Sequence, residues 1–211
     1  MPLLAVQLPI GILTVYLLVV ISQRVLGVRL RMGDVGLGFV VNVLIDVIAG
    51  ASGWASPLAF AALGPGQVIT YALAVAIVLQ AASGLLIWWR AAGTQVAAVA
   101  LSVGAGISLG HVAALASSLG FVGPASLSEL GLPVLGSLPS VVMDVAAALV
   151  IGWGLAHSRA LWAVVAAIVL EGGLVATSIL LMGNPLFVTI ELAEVTYAVL
   201  VLTGTLVLAR Q

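Results

Sequence analysis

The chain is 211 residues long, 64% hydrophobic and only 6% charged, with a net charge of −1. A soluble domain carries about a quarter charged residues, so the solvent that fits this composition is lipid. Neither cysteine nor lysine occurs, which excludes disulfides, thiolate metal sites, cysteine nucleophiles and Schiff-base chemistry, and six arginines against seven acids leave no basic footprint for nucleic acid.

A membrane span needs about 20 mainly apolar residues. In chain order, seven segments qualify: 3–22, 35–51, 67–89, 94–119, 139–156, 160–182 and 185–209. The first, MPLLAVQLPIG onward, lacks a charged leader region and a small-residue cleavage site, and reads as a retained span. Between the second and third lies GASGWASPLAFAALGPGQ, too short and too rich in Gly and Pro to cross again; 52–66 is a loop or a re-entrant piece. The connection 120–138 carries turn chemistry and one acid, Glu129. Neither stretch suggests a second domain, so 1–211 reads as a single all-α transmembrane domain, a multi-pass helical bundle of the cell membrane.

The arginines test the count of seven. Arg24, Arg29 and Arg31 follow span one, Arg90 span three, Arg159 span five and Arg210 span seven. Seven crossings put all six on one side, and the positive-inside rule then predicts an outside N-terminus and a cytoplasmic C-terminus. Trp88, Trp89 and Trp162 sit beside these arginines, and Trp54 near the opposite boundary, as interfacial anchors. His157, beside Arg159, reads as a cytosolic loop residue.

The ionisable residues inside spans are the informative ones: Asp46, His111, Asp144, Glu171, Glu191 and Glu194. At about 1.5 Å per residue, Glu171 falls near the midplane. Asp46, Glu191 and Glu194 lie at the midplane or slightly outward, and Asp144 and His111 in the outer third. An intramembrane acid costs at least about 2.5–3.5 kcal/mol at a helix centre. His111 is the one basic residue within a span available to five acids. Glu171, Glu191, Glu194, Asp144 and Asp46 are therefore candidates to bind a proton or cation. His111, Glu171, Glu191 and Glu194 are the candidates for any catalytic role. Asn42, Gln80, Thr177, Ser178 and Tyr197 are the neutral hydrogen-bond partners within reach, and Asp144 could instead cap helix five after Pro139. No HExxH, ExxH or paired histidine occurs, so no metal site is assigned, and no cofactor is expected. In SVGAGISLGHVAALASS the small residues Ser102, Gly106, Gly110, Ala114 and Ser118 recur every fourth position and predict a helix-packing seam.

AGASGW at 49–54 resembles the Gly-x-Ser-Gly of rhomboid proteases, which would cast Ser52 and His111 as the catalytic pair. Only two spans precede Ser52, one fewer than in that family, and a polar turn is the reading adopted. Over most of its length the chain resembles the YhfC-like intramembrane peptidases, related to the glutamate-type family of CAAX-processing and bacteriocin-processing enzymes. The features that carry the resemblance are, in order, QRVLGVRLRMGDVGLGFVV, VLQAASGLLIWWR, GISLGHVAAL, MDVAAALVIGWGLAHSRALWAVVAAIVLEGG and FVTIELAEV. That family implies a Glu-Glu pair near the end of span three, a Gly-His-Gly with a following Glu on span four, and a histidine on each of the next two spans. Gly110-His111 matches. Leu79-Gln80 stands where the Glu pair belongs, Ala114 where the following Glu belongs, and Asp144 and Glu171 at the approximate histidine positions. The resemblance implies a shared scaffold whose peptidase residues have been replaced, and a scaffold alone does not carry an activity.

Three functions follow as expectations. The first is a non-catalytic subunit or scaffold of a membrane assembly, whose partners are the bilayer and other membrane subunits. The second is a divergent glutamate-type peptidase in which a glutamate activates water and His111 stabilises the oxyanion. The third is a proton- or cation-coupled small-solute transporter, gated by the Gly- and Pro-interrupted 52–66 and 120–138 segments.

Overall fold

The computed structural model describes residues 2–51, 64–92, 95–119, 127–180 and 187–210, with side chains over somewhat shorter stretches. The described residues are all-helical, in seven helices: α1 (Pro2–Leu26), α2 (Met32–Ala51), α3 (Pro65–Ala91), α4 (Val96–Leu119), α5 (Leu127–Ala156), α6 (Ala160–Leu180) and α7 (Phe187–Ala209). In hydrocarbon every backbone polar group must find its partner within the protein, and an apolar run of this length does so as a helix. Six of the seven are long and apolar enough to cross a membrane. The chain is thus a multi-pass helical membrane protein.

The seventh crossing, α2, follows from its neighbour. Ser102 Oγ accepts the Arg31 amide at 2.9 Å. Further along, Gly106 lies against the Val35 and Phe39 backbone, and Gly110 against Asn42. α2 therefore runs parallel to α4 and traverses the same depth. Ser102, Gly106 and Gly110 of the small-residue stripe on α4 lie in this contact. Ser102 also donates to the Ala98 carbonyl at 2.7 Å, Ala114 is half-buried, and the Ser118 side chain lies outside the described residues.

The helix ends explain the turns. Gly27 has φ +65°, and Val28 N donates to the Gln23 carbonyl at 3.3 Å, a left-handed cap that stops α1. α1 thus continues past the predicted end at residue 22, with Arg24 in its last turn, where a long side chain reaches out to the interface. The α5–α6 turn has the same form with a non-glycine residue. Ser158 takes φ 57°, Arg159 N donates to the Gly154 carbonyl at 2.7 Å, and the Arg159 carbonyl accepts Ala163 N at 3.0 Å to start α6. Gly64 and Pro65 open α3, and Gln67 Oε1 accepts the Gly64 amide at 2.9 Å. The last residues of 52–66 thus belong to α3, while Ser52 and Trp54 lie outside the described residues. The largest departure from the sequence reading is α5, which begins at Leu127 rather than 139. Pro133 and Pro139 lie within it, as membrane helices tolerate. Asp144 is consequently in the body of α5, and does not cap its start.

α4 and α5 form the centre. In each, 72% of the most apolar window is buried inside the protein, against 22% for α1 and 28% for α7. Val99, Leu101, Val103 and Ile107 of α4 meet Met143, Val145, Leu149 and Ile151 of α5 in the main core, joined by Leu79 and Ile87 of α3. All arginine-bearing turns lie at one end. Arg90 Nε reaches Asp34 Oδ1 at 2.6 Å and Arg31 Nε reaches Asp34 Oδ2 at 3.0 Å, so the start of α2 and the end of α3 are neighbours. Gly84 faces Val164 and Ile151, which brings the α5–α6 turn to the same end. Trp153 and Arg159 share a groove with Leu208, which places the end of α7 there too. Trp88, Trp89 and Trp162 are exposed on this rim. His157, also there, is exposed and bonds the Trp153 carbonyl through Nδ1 at 2.8 Å.

Candidate functional site

α3, α4, α5 and α6 bring four residues distant in sequence into one interior neighbourhood. Gln80 Nε2 donates to Glu171 Oε2, joining α3 to α6. Asp144 Oδ2 faces His111 Nδ1 at 3.7 Å, joining α5 to α4. Asp144 lies within electrostatic range of both Glu171 and Asp46. Asp46 accepts from Asn42 Nδ2 at 2.8 Å, one helical turn earlier on α2. Ser108 completes the wall, its Oγ donating to the Val141 carbonyl at 3.0 Å. Gln80, Asp144 and Glu171 are buried, at 2%, 3% and 6% exposure. The His111 side chain keeps 31% exposure and Asp46 is half-buried, so these two form the accessible edge of the cluster.

Each position follows from local sequence. Gly104 lets α5 approach so closely that a Cβ there would lie 3.2 Å from the Asp144 carbonyl. Gly110 admits Asn42, and with it the Asn42–Asp46 pair, to the face next to His111. Gly172 admits Leu73 and Ala76 of α3, which sets Glu171 against Gln80. At about 1.5 Å per residue, about 18 Å of helix separates Asp144 from the arginine-bearing turn, so the cluster lies at or beyond mid-depth from that end.

Among the described residues, two buried atoms here have no hydrogen-bond partner: Asp144 Oδ2 and Gln80 Oε1. At 3.7 Å the imidazole is an electrostatic neighbour of Asp144, not a hydrogen-bond donor to it. An ionised carboxylate oxygen left this way is expensive in a dry interior; a proton on Asp144, or a cation against it, removes that cost. The arrangement can therefore take up and release a positive charge. Among the described residues no three His, Asp or Glu side chains are placed to hold a metal ion together.

Glu191 and Glu194 form a separate neighbourhood between α6 and α7. Three residues apart, they share one face of α7. Glu194 Oε2 accepts Ser178 Oγ at 2.9 Å, while Thr177 is turned to the Gly173 carbonyl at 2.8 Å. Of the five neutral partners named from sequence, Asn42, Gln80 and Ser178 each bond one acid.

Sequence reasoning missed Asp34, which is fully buried between Arg31 and Arg90. It stands just before the predicted second span, where an acid reads as a solvated loop residue; three cations nearby in sequence were the available signal. No family model, no curated protein and no solved structure matches this chain.

Proposed function

We propose that the protein is a non-catalytic component of an assembly in the cell membrane, and that its working centre is the Gln80–His111–Asp144–Glu171 cluster, which holds a proton or a small cation. The observation that carries this reading is Asp144 Oδ2, buried without a partner and facing a histidine inside the bundle. An intramembrane acid costs about 2.5–3.5 kcal/mol on insertion scales, and Asp144 has two more within electrostatic range, Glu171 and Asp46. Purification in mild detergent tests the assembly: stoichiometric partner subunits are expected, and a monodisperse lone protein would count against it. Proton release on titration with sodium or potassium tests the centre. Wild type should respond and Asp144→Asn with Glu171→Gln should not; equal responses would remove the site from consideration.

One observation favours a second reading. Gln80, His111, Asp144 and Glu171 are the positions that the resemblance to YhfC-like peptidases equates with that family's motifs, and they are neighbours. A divergent peptidase would use Glu171 to activate water and His111 to stabilise the oxyanion. Cleavage of a single-span membrane substrate by purified protein, abolished by Glu171→Gln, would establish it; failure to cleave any candidate would exclude it.

A further inference from the structure

We propose that the cleft where α5, α6 and α7 meet, at the arginine-bearing end, binds one anionic phospholipid, with its phosphate on Arg159 and an acyl chain along the apolar walls. Among the described residues, α6 and α7 each pack along α5 rather than on each other. They come together toward the far end, where Ser178 donates to Glu194 at 2.9 Å. The cleft left between them has a volume of about 870 Å³, within the range of small-molecule sites, about 300–1,000 Å³. Its floor is Val150 and Trp153 of α5, and its walls run from Arg159 to Leu170 on α6 and from Leu208 to Leu200 on α7. That stretch of α6 is about 16 Å long, close to one leaflet's half of a hydrocarbon core about 30 Å thick.

Polarity is graded along this length as it is in a lipid. Deep in the cleft the walls are aliphatic, and the Thr205 hydroxyl is spent on the Val201 carbonyl at 2.7 Å, so it offers a ligand no proton. Gly204 shares a face of α7 with Val201, Thr205 and Leu208, and it keeps the slot open: a Cβ there would meet nothing within 4 Å. At the mouth stands Arg159, the charged residue of the lining. Its guanidinium lies 6.0 Å from the Trp153 ring centroid, on the floor of the cleft, so it is within reach of a ligand seated there. Among the described residues no carboxylate pairs with it, and Asp34, at the same end, is already held by Arg31 and Arg90. Ser158 sits beside it, and Trp162, 74% exposed, flanks the opening. A guanidinium offers a fork of N–H donors that matches a phosphate, and indoles settle at the headgroup level. A cationic amphiphile would meet Arg159 with like charge, and a neutral hydrocarbon would leave it unmatched. The site shares no lining residue with the central cluster and does not depend on a proton or cation there.

The test is native mass spectrometry of the full chain in a neutral detergent, titrated with phosphatidylglycerol or with phosphatidylcholine of the same acyl chains. A saturable one-to-one adduct is expected, with phosphatidylglycerol bound about fivefold more tightly or better, as one interfacial arginine warrants. Arg159→Gln should bring phosphatidylglycerol down to the level of phosphatidylcholine. Arg24→Gln removes an exposed arginine at the same end but outside the cleft, and should bind as wild type does. Gly204→Leu fills the slot without displacing a neighbour, and should abolish the adduct while preserving the melting temperature. Equal binding of the two lipids, equal losses from the two arginine variants, or undiminished binding to Gly204→Leu overturns the proposal. So does a cross-link in mild detergent from Ala166→Cys, on the α6 wall, to another polypeptide, which would put a protein helix where the lipid belongs.

Discussion

Gln80 and Glu171 hold each other across α3 and α6, and the value of that bond depends on which partner is removed. Interhelical hydrogen bonds in membranes average only about 0.6 kcal/mol, but a buried polar group left alone costs about 1–3 kcal/mol. Gln80→Leu should therefore destabilise the protein by about 1–3 kcal/mol in detergent unfolding. Gln80→Leu combined with Glu171→Leu should recover most of that loss. A double variant no more stable than Gln80→Leu alone would show that Glu171 is satisfied by something other than Gln80. His111 behaves differently. It packs at the edge of the cluster with 31% of its side chain exposed, and it makes no hydrogen bond to Asp144, so His111→Ala should shift stability by less than about 1 kcal/mol. If the histidine tunes the centre, that variant should still alter cation-linked proton release.

At the scale of elements, the α2–α4 contact is the tightest. A Cβ on Gly106 would fall inside the Val35 carbonyl, and one on Gly38 inside the Val103 carbonyl, so neither helix can yield by moving a side chain. Gly106→Ala should cost about 1–3 kcal/mol as overpacking. Gly204→Ala, where a Cβ meets nothing within 4 Å, should be neutral or stabilising by up to about 1 kcal/mol through helix propensity. Thermal melts of the two variants in one detergent check the contrast; equal shifts would mean that the seam is looser than described. These elements were largely legible in the sequence, because length and hydrophobicity alone decide what crosses a bilayer and four-residue spacing of small residues marks where a helix admits another. The identity of the partner was not legible. The spacing on α4 fits any neighbour, and α2 shows its answering glycine, Gly38, only as one of several in MGDVGLGFVV. The start of α5 at Leu127 was hidden for a related reason: Gly131, Pro133 and Gly136 signal a turn in water, whereas lipid favours keeping such a stretch helical.

At the scale of the whole molecule, the arginines share one end with Asp34, and the five acids within the predicted spans lie away from it. The sequence carried the first of these facts, since charge placement along the chain is one-dimensional. The sorting of five acids into two neighbourhoods depends on which helices touch, and spacing along one chain cannot tell α5 beside α4 from α5 beside α7. The absence of native cysteine makes sidedness simple to measure. Arg29→Cys and His157→Cys should both react with a membrane-impermeant maleimide from the cytoplasmic side only. Reaction of the two from opposite sides would break the seven-crossing arrangement. The uneven burial of the helices also bears on biosynthesis. α4 emerges from the ribosome after α1 and α2, so its Gly106 and Gly110 edge can be docked as soon as it enters the bilayer. Its other edge, where Gly104 awaits Ala148 and Val145, must stand against lipid until α5 has been made. Translation between residues 114 and 156 is thus an interval in which the Gly104 edge stands uncovered, and α5 is the helix whose arrival covers it.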